Sequence, residues 1–279
     1  MEQRYGLAGV MGWPVAHSRS PVLHTYWIEH YDLRGAYVLL PVQPQQLPAA
    51  IAGLKVLGFA GCNLTIPHKV ASLQLVDAVD PVARRIGAIN TIVVGADGST
   101  RGVNTDGFGF LHSLLEEHPR WRADAGPAAV LGAGGAARAV IVSLQEQGAP
   151  EIRIVNRTLA TARSLADEFG PPVRVVPWEQ RSAALDGCAL LVNTTNQGMS
   201  GQPALDLNLD TLPGHALVAD VVYIPLETPL LVAARGRGNP TVNGLGMLLH
   251  QARPAFEAWF GVLPDVTPQL RQRVLASFR

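Results

Sequence analysis

Residues 128–137 read Ala128-Ala129-Val130-Leu131-Gly132-Ala133-Gly134-Gly135-Ala136-Ala137. Four apolar residues run straight into a GxGxxA turn, and a stretch of helical periodicity, 136–147, follows. A short apolar run bounded by glycines suits a strand covered on both faces. The glycines let the backbone bend tightly and approach a pyrophosphate. The helix after them offers unpaired N–H groups and a positive partial charge. A glycine motif alone is weak. At a strand-to-helix junction it predicts a dinucleotide site formed by Gly132, Ala133, Gly134, Gly135 and Ala136 rather than a purely structural turn.

The pattern continues on the C-terminal side. Strands are expected at 152–155, 173–176, 189–192 and 217–221, with a further clear helix at 159–169. Regular strand–helix alternation of this kind gives a doubly wound parallel sheet. The end of the second strand selects the dinucleotide. NAD sites carry an Asp or Glu there for the ribose 2′-hydroxyl. This chain reads Asn156-Arg157-Thr158. A guanidinium pairs with a 2′-phosphate, and Asn156 and Thr158 supply hydrogen bonds, so the expected cofactor is NADP. The competing reading makes Arg157 a solvated residue at a helix start.

The N-terminal side is less regular. Strands are expected at 5–11, 36–40, 60–64 and 88–94, and helices at 21–31, 47–57 and 106–117. Ser20 is expected to cap the first helix, with Pro21 at its first position. Asp97-Gly98 marks a hairpin turn. A polar, turn-rich stretch at 118–127 is a candidate seam between domains. Two helices, 246–260 and 268–278, end the chain.

The first third also carries scattered polar groups. Ser18 and Ser20 stand two apart before a helix. Asn63-Leu64-Thr65-Ile66-Pro67-His68-Lys69 ends a strand in a compact polar corner. Gly87-Ala88-Ile89-Asn90-Thr91 and Gly102-Val103-Asn104-Thr105-Asp106-Gly107 place amides and a carboxylate at strand ends or helix starts. Each has an ordinary structural explanation: a cap, a turn or a solvated charge. Together they offer the hydroxyl, amide, ammonium and carboxylate groups that a small polyhydroxylated acid requires.

Composition removes other classes. The 279 residues carry 22 basic and 22 acidic side chains, a net charge of +0. Binding to a nucleic-acid backbone generally needs a basic excess, so no nucleic-acid partner is expected. The chain is 48% hydrophobic, enough for a sizeable core. Its two cysteines, Cys62 and Cys188, lie far apart with no CxxC, which suits reduced, buried thiols. The eight histidines show no HxH or HExxH spacing, so no metal is expected. The opening residues, Met1-Glu2-Gln3-Arg4-Tyr5, lack a leader's basic start, and no apolar run is long enough to span a bilayer. The expectation is a cytoplasmic protein with a small-molecule substrate and no membrane partner, as a monomer or homodimer.

These segments, in order, resemble the shikimate dehydrogenase family. The resemblance runs through Ser18-Arg19-Ser20-Pro21, the 63–69 corner, Gly87-Ala88-Ile89-Asn90-Thr91 and Asn104-Thr105-Asp106-Gly107. It continues through the glycine turn, Asn156-Arg157-Thr158, Asp220-Val221-Val222-Tyr223-Ile224-Pro225 and Asn243-Gly244-Leu245-Gly246-Met247-Leu248-Leu249-His250-Gln251-Ala252. It implies an α/β fold of two domains: an α/β substrate domain, and a Rossmann-type doubly wound parallel-sheet NADP domain. The substrate domain would be discontinuous, 1–106 plus 244–279, and the NADP domain would be 107–243. The implied reaction is NADP-dependent, reversible reduction of 3-dehydroshikimate to shikimate, in aromatic amino-acid biosynthesis. The implied catalytic pair is Lys69 and Asp106. Ser18, Ser20, Thr65, Asn90, Tyr223 and Gln251 would bind substrate, and Val221 and Gly244 would join the cofactor site. The chain departs from the family's commonest pattern at Thr161, where a second basic residue is usual, and at Asn196, where a small hydroxyl residue is usual.

Ketone reduction needs a hydride to carbon and a proton to oxygen. Lys69 is the best proton donor of the cluster, with Asp106 as its counter-charge. A quinate or aminoshikimate dehydrogenase on the same scaffold remains open, as does a non-catalytic NADP sensor. A sensor has no need of both Lys69 and Asp106.

Overall fold

The computed structural model describes residues 5–278; residues 1–4, on which the expectation about a leader rests, lie outside them. The chain divides into two compact units. Unit 1 is Met1–Thr105 with Gln251–Arg279, and unit 2 is Asp106–His250.

Unit 1 begins β1 (Gly6–Gly12), α1 (Ser20–His30), β2 (Gly35–Pro41), α2 (Leu47–Val56), β3 (Gly61–Leu64) and α3 (His68–Ala71). It goes on with β4 (Ala78–Val79), α4 (Pro81–Ile86), β5 (Thr91–Val94) and β6 (Thr100–Val103). The strands form one mixed sheet in the order β2-β1-β3-β5-β6-β4. β1 runs parallel to β2 and β3, each reached through a helix, whereas β5 pairs antiparallel with β3 and β6. The expected turn at Asp97-Gly98 joins β5 to β6, with Gly95 N–H donating to the Ser99 carbonyl at 2.7 Å. Met11, Ile51, Leu54, Cys62, Leu64, Ile89 and Ile92 are buried in one apolar cluster of this unit.

Unit 2 contains α5 (Asp106–Glu117), β7 (Ala128–Leu131), α6 (Gly135–Glu146), β8 (Ile152–Val155), α7 (Leu159–Phe169) and β9 (Val173–Val176). It continues with β10 (Leu190–Asn193), β11 (Leu217–Asp220), α8 (Pro229–Gly236), β12 (Thr241–Val242) and the start of α9 (Gly244–Phe260). All six strands are parallel, in the order β9-β8-β7-β10-β11-β12. Numbered within the unit this is 3-2-1-4-5-6, the Rossmann order. Residues alternate between two cores. Ala128, Val130, Ile152, Ile154, Leu190 and Val192 enter one; Ala129, Leu131, Val155, Leu191 and Val218 enter the other. Burial on both faces is why these strands read as continuous apolar runs. The chain then returns to unit 1, where α10 (Pro268–Ala276) is tied to α1 by Tyr26 and Thr267, whose hydroxyls lie 3.1 Å apart.

Four expectations need correction. Ser20 does not cap α1. Arg19 holds the cap position without a side-chain bond, Ser20 is already helical, and Ser18 Oγ accepts the Ser20 N–H at 3.3 Å. The strand expected at 88–94 begins only at Thr91, because Ile89 N–H turns to the Lys69 carbonyl at 2.9 Å. The stretch 118–127 is not a seam. It lies inside unit 2, where Gly107 of α5 packs against Ser143 of α6. The division falls at Thr105/Asp106 and His250/Gln251, so 244–250 group with unit 2, where Gly246 meets Ser113 of α5. The short elements β4, β12, α3 and α4 carry too few residues to show a period.

Candidate active site

Each unit holds part of the expected site. In unit 1, the chain leaving β1 turns back at Ser18, whose N–H donates to the Val15 carbonyl at 3.0 Å. Ser18 Oγ donates to Ser20 Oγ at 3.2 Å, so the two hydroxyls form one polar patch at the start of α1. Thr65 follows β3, its N–H bonded to the Met11 carbonyl at 2.9 Å. Its own carbonyl accepts from His68 N–H at 2.9 Å and so starts α3. One residue later Lys69 emerges, half-buried. His68 points the other way and is buried, with Nε2 2.8 Å from the Val42 carbonyl. The Lys69 carbonyl bond to Ile89 draws the Asn90 loop to the same corner.

Asn90 is the hub of that corner. It is buried, its Oδ1 accepts the Thr105 N–H at 3.0 Å, and its Nδ2 reaches Thr105 Oγ1 at 2.9 Å and Gln251 Oε1 at 3.3 Å. Unit 1 therefore joins Ser18 to Ser20 and Asn90 to Gln251, although 161 positions separate the latter pair. Asp106 and Tyr223 belong to unit 2. Asp106 is the buried first residue of α5, and half-buried Tyr223 lies in the loop after β11.

In unit 2, the glycine turn leaves β7 at the point where strand order reverses, between β7 and β10. Gly132 has φ +110°, and a Cβ there would stand 2.6 Å from Thr194 Oγ1 at the end of β10. Its N–H donates to the Val155 carbonyl at 2.8 Å, which sets it beside the end of β8. Gly134 caps α6 without a side chain, and no atom lies within 4 Å of where its Cβ would be. An open space facing uncapped helix N–H groups suits a pyrophosphate. At the end of β8, Asn156 Nδ2 donates to the Thr158 carbonyl at 3.0 Å, and Arg157 and Thr158 are exposed. Val221 N–H donates to the Asn193 carbonyl at 3.0 Å, and Gly244 N–H to the Val222 carbonyl at 3.1 Å, so the expected Val221 and Gly244 are brought together.

Two buried groups escaped the sequence reading as site-forming residues. Asp220 ends β11 with Oδ1 accepting from Asn193 Nδ2 and Val222 N–H, both at 3.0 Å, and Oδ2 accepting from Thr228 Oγ1 at 2.8 Å. Burial raises its carboxyl to about 6, against the pull of those three hydrogen bonds. Asn63 is the last but one residue of β3 and bonds Tyr37, Asn90 and Thr91. The readable signal was similar in both: a polar residue at or next to the end of an apolar strand. Cys62 and Cys188 are buried and unbridged, and burial pushes both thiols up, Cys188 to about 11. Among the described residues, no three His, Cys, Asp or Glu side chains group as metal ligands would, and no helix is long and apolar enough to cross a membrane.

Comparison with known proteins bears on this geometry. Family models match three stretches: a shikimate dehydrogenase substrate binding domain at 10–92, a shikimate / quinate 5-dehydrogenase at 120–200, and a shikimate 5′-dehydrogenase C-terminal domain at 244–275. The chain belongs to the shikimate dehydrogenase family. A family member from Paramagnetospirillum magneticum, the shikimate dehydrogenase (NADP(+)), is 55% identical over 276 residues, covering 99% of this chain and 100% of its own. The Thermus thermophilus shikimate 5-dehydrogenase, solved with NADP(H) and shikimate, superposes with a TM-score of 0.86 at 39% identity, covering 98% of this chain and 100% of its own. A quinate dehydrogenase from Corynebacterium glutamicum, solved with NAD, gives 0.90 at 31% identity over the same shares.

Proposed function

We propose that this chain catalyses the NADP-dependent, reversible reduction of 3-dehydroshikimate to shikimate, a step of aromatic amino-acid biosynthesis. The observation that carries the reading is the polar corner of unit 1. It sets Lys69 on α3 beside the Asn90 loop, with Thr65 one turn away and Gln251 bonded to Asn90. That corner suits an acid bearing several hydroxyls, and the Ser18–Ser20 pair suits its carboxylate. The 2′-phosphate reading of Arg157 supports NADP over NAD, since no carboxylate ends β8.

The residues of unit 2 fit the cofactor. The α6 N-terminus and the open side of Gly134 would hold the pyrophosphate. Arg157, Asn156 and Thr158 would hold the adenosine 2′-phosphate, and Val221 and Gly244 the nicotinamide side. Bound there, NADPH supplies the hydride. The chain's own part is the proton. Lys69 Nζ donates it to the substrate carbonyl oxygen in reduction and takes it from the C–OH group in oxidation. Asp106 supplies the compensating negative charge. Tyr223 would add a hydroxyl contact to the substrate. In this reading unit 1 is the substrate domain and unit 2 the NADP domain. Every group named belongs to one chain, and the buried thiols suit a cytoplasmic enzyme.

The test is formation of reduced nicotinamide, followed by absorbance, with shikimate or quinate paired with NADP or NAD. The expected result is fastest turnover with shikimate and NADP. No turnover with shikimate overturns the reading, and preferred turnover of quinate moves it to the quinate branch.

A further inference from the structure

Tyr37 lies on β2, and the reading above gives it no role. In the sheet it stands opposite Ala8 of β1, and Val10, two residues on, stands opposite Asn63 of β3. These residues share a face. Ala8 is small, so the Tyr37 ring can cross β1 and donate its phenol to Asn63 Oδ1 at 2.6 Å. That bond holds Asn63 in one orientation together with the Asn90 carbonyl, which can only accept. With its oxygen engaged, Asn63 presents Nδ2 to the Asn90 carbonyl at 3.2 Å and to Thr91 Oγ1 at 2.9 Å. Thr91 then donates to Asn90 Oδ1 at 3.1 Å. Asn90 Oδ1 is thus an acceptor on the inner side, and its Nδ2 is turned to Gln251 Oε1. Each amide has one accepting end and one donating end. A flip of Asn63 would set its oxygen against the Asn90 carbonyl, acceptor facing buried acceptor, and would leave the Tyr37 hydroxyl proton without its acceptor, which is costly.

We propose that Tyr37 is a positioning residue that anchors the Asn63–Asn90–Gln251 chain of amides in one orientation, and with it the donors and acceptors offered to a hydroxylated acid; this rests on the reading of Asn90 and Gln251 as substrate ligands. The surroundings of Tyr37 support the role. His24 stacks on its ring at 4.0 Å and 6°. Burial pushes His24 down to about 3, against the opposing influence of the Asn63 side chain, so the stack stays uncharged at working pH.

The experiment compares Tyr37→Phe, Asn63→Asp and Asn90→Ala with the wild type. Tyr37→Phe keeps the ring and its stack but removes the hydroxyl. Asn63→Asp keeps an acceptor for Tyr37 but lacks the NH2. Each should raise the KM for shikimate about 5- to 10-fold while leaving kcat and the KM for NADP within about twofold. Asn63→Asp carries the test where Tyr37→Phe is not recovered folded. A folded Tyr37→Phe enzyme with the wild-type KM for shikimate overturns the proposal. Equal losses in kcat and in both KM values also overturn it, because they mark general loosening. A raised KM in Asn90→Ala with none in Tyr37→Phe or Asn63→Asp removes the positioning role alone. An unchanged KM in Asn90→Ala removes the substrate reading, and the proposal with it.

Discussion

In the proposed reading the two units recognise their ligands by different means. Unit 2 does so largely with backbone: a glycine turn, a helix N-terminus and the ends of parallel strands. Unit 1 does so with side chains: hydroxyls and amides held in one buried hydrogen-bonded web. A backbone site depends on conformation, so it tolerates few residues at its turn and leaves a motif in the sequence. A side-chain site is assembled from residues that mean little one at a time. Changes in unit 1 should therefore be graded and kinetic. Changes in unit 2 should alter cofactor choice or the stability of the unit.

The largest effect is expected at the residues proposed to do chemistry rather than binding. Lys69→Ala should lower kcat about 10²- to 10⁴-fold with shikimate and NADP still bound. Asp106→Asn should also lower kcat. The double variant should lose little more than Lys69→Ala alone, because both groups serve one proton. Wild-type kcat in Lys69→Ala would remove the lysine from the mechanism, and fully additive losses would separate the two residues.

The second concerns the buried carboxylate of unit 2. Asp220 is 2% exposed, and burial raises its pKa from 3.8 to about 6. A carboxyl raised in the folded state binds more protons folded than unfolded between these values. Stability then falls as pH rises from about 4 through about 6, by up to about 3 kcal/mol. In Asp220→Asn the oxygen can accept from Val222 and Asn193, and the NH2 can donate to Thr228, as the protonated acid would. Denaturation at pH 4 and pH 7 should show wild type losing stability relative to this variant. A constant difference would show that the site does not resist ionisation.

The third tests the exception in unit 2, where a side chain and not the backbone is proposed to select the cofactor. Arg157→Ala should weaken NADP binding about tenfold, the size of a charge-assisted contact at an exposed site, and leave NAD nearly unchanged. Equal losses for both cofactors would return Arg157 to the solvated helix start.

Legibility followed the same contrast. The strands β7, β8, β10 and β11 were readable because each is buried on both faces, and Gly132 because its φ and its contact with Thr194 demand glycine. Arg157 was readable because it stands where a carboxylate is usual. In unit 1, Asn90 and Gln251 were assigned only through family resemblance. Nothing local in either segment shows that the two amides meet. Tyr37 passed as an ordinary strand aromatic, since its role depends on β1 separating it from Asn63. Boundaries were misjudged where a side chain diverted the backbone, as at Ser18, or where tertiary packing outweighed composition, as at 118–127.

The smallest effect is expected at Ser18, and it separates two roles proposed for one hydroxyl. Ser18 Oγ accepts the Ser20 N–H at 3.3 Å, a long bond at the start of α1. It also donates to Ser20 Oγ, in the patch assigned to the substrate carboxylate. If capping dominates, Ser18→Ala costs folding stability and leaves kinetics alone. If carboxylate binding dominates, the KM for shikimate rises and stability barely moves. The capping bond is long, and the helix it serves is anchored independently: Leu23 and Trp27 of α1 are fully buried. The loss should therefore fall on binding. One neutral hydrogen bond is worth roughly 0.5–1.5 kcal/mol, so KM should rise about 2- to 13-fold with kcat, NADP affinity and Tm close to wild type. A lowered Tm with unchanged KM would make Ser18 a cap, and would leave Ser20 alone to meet the carboxylate.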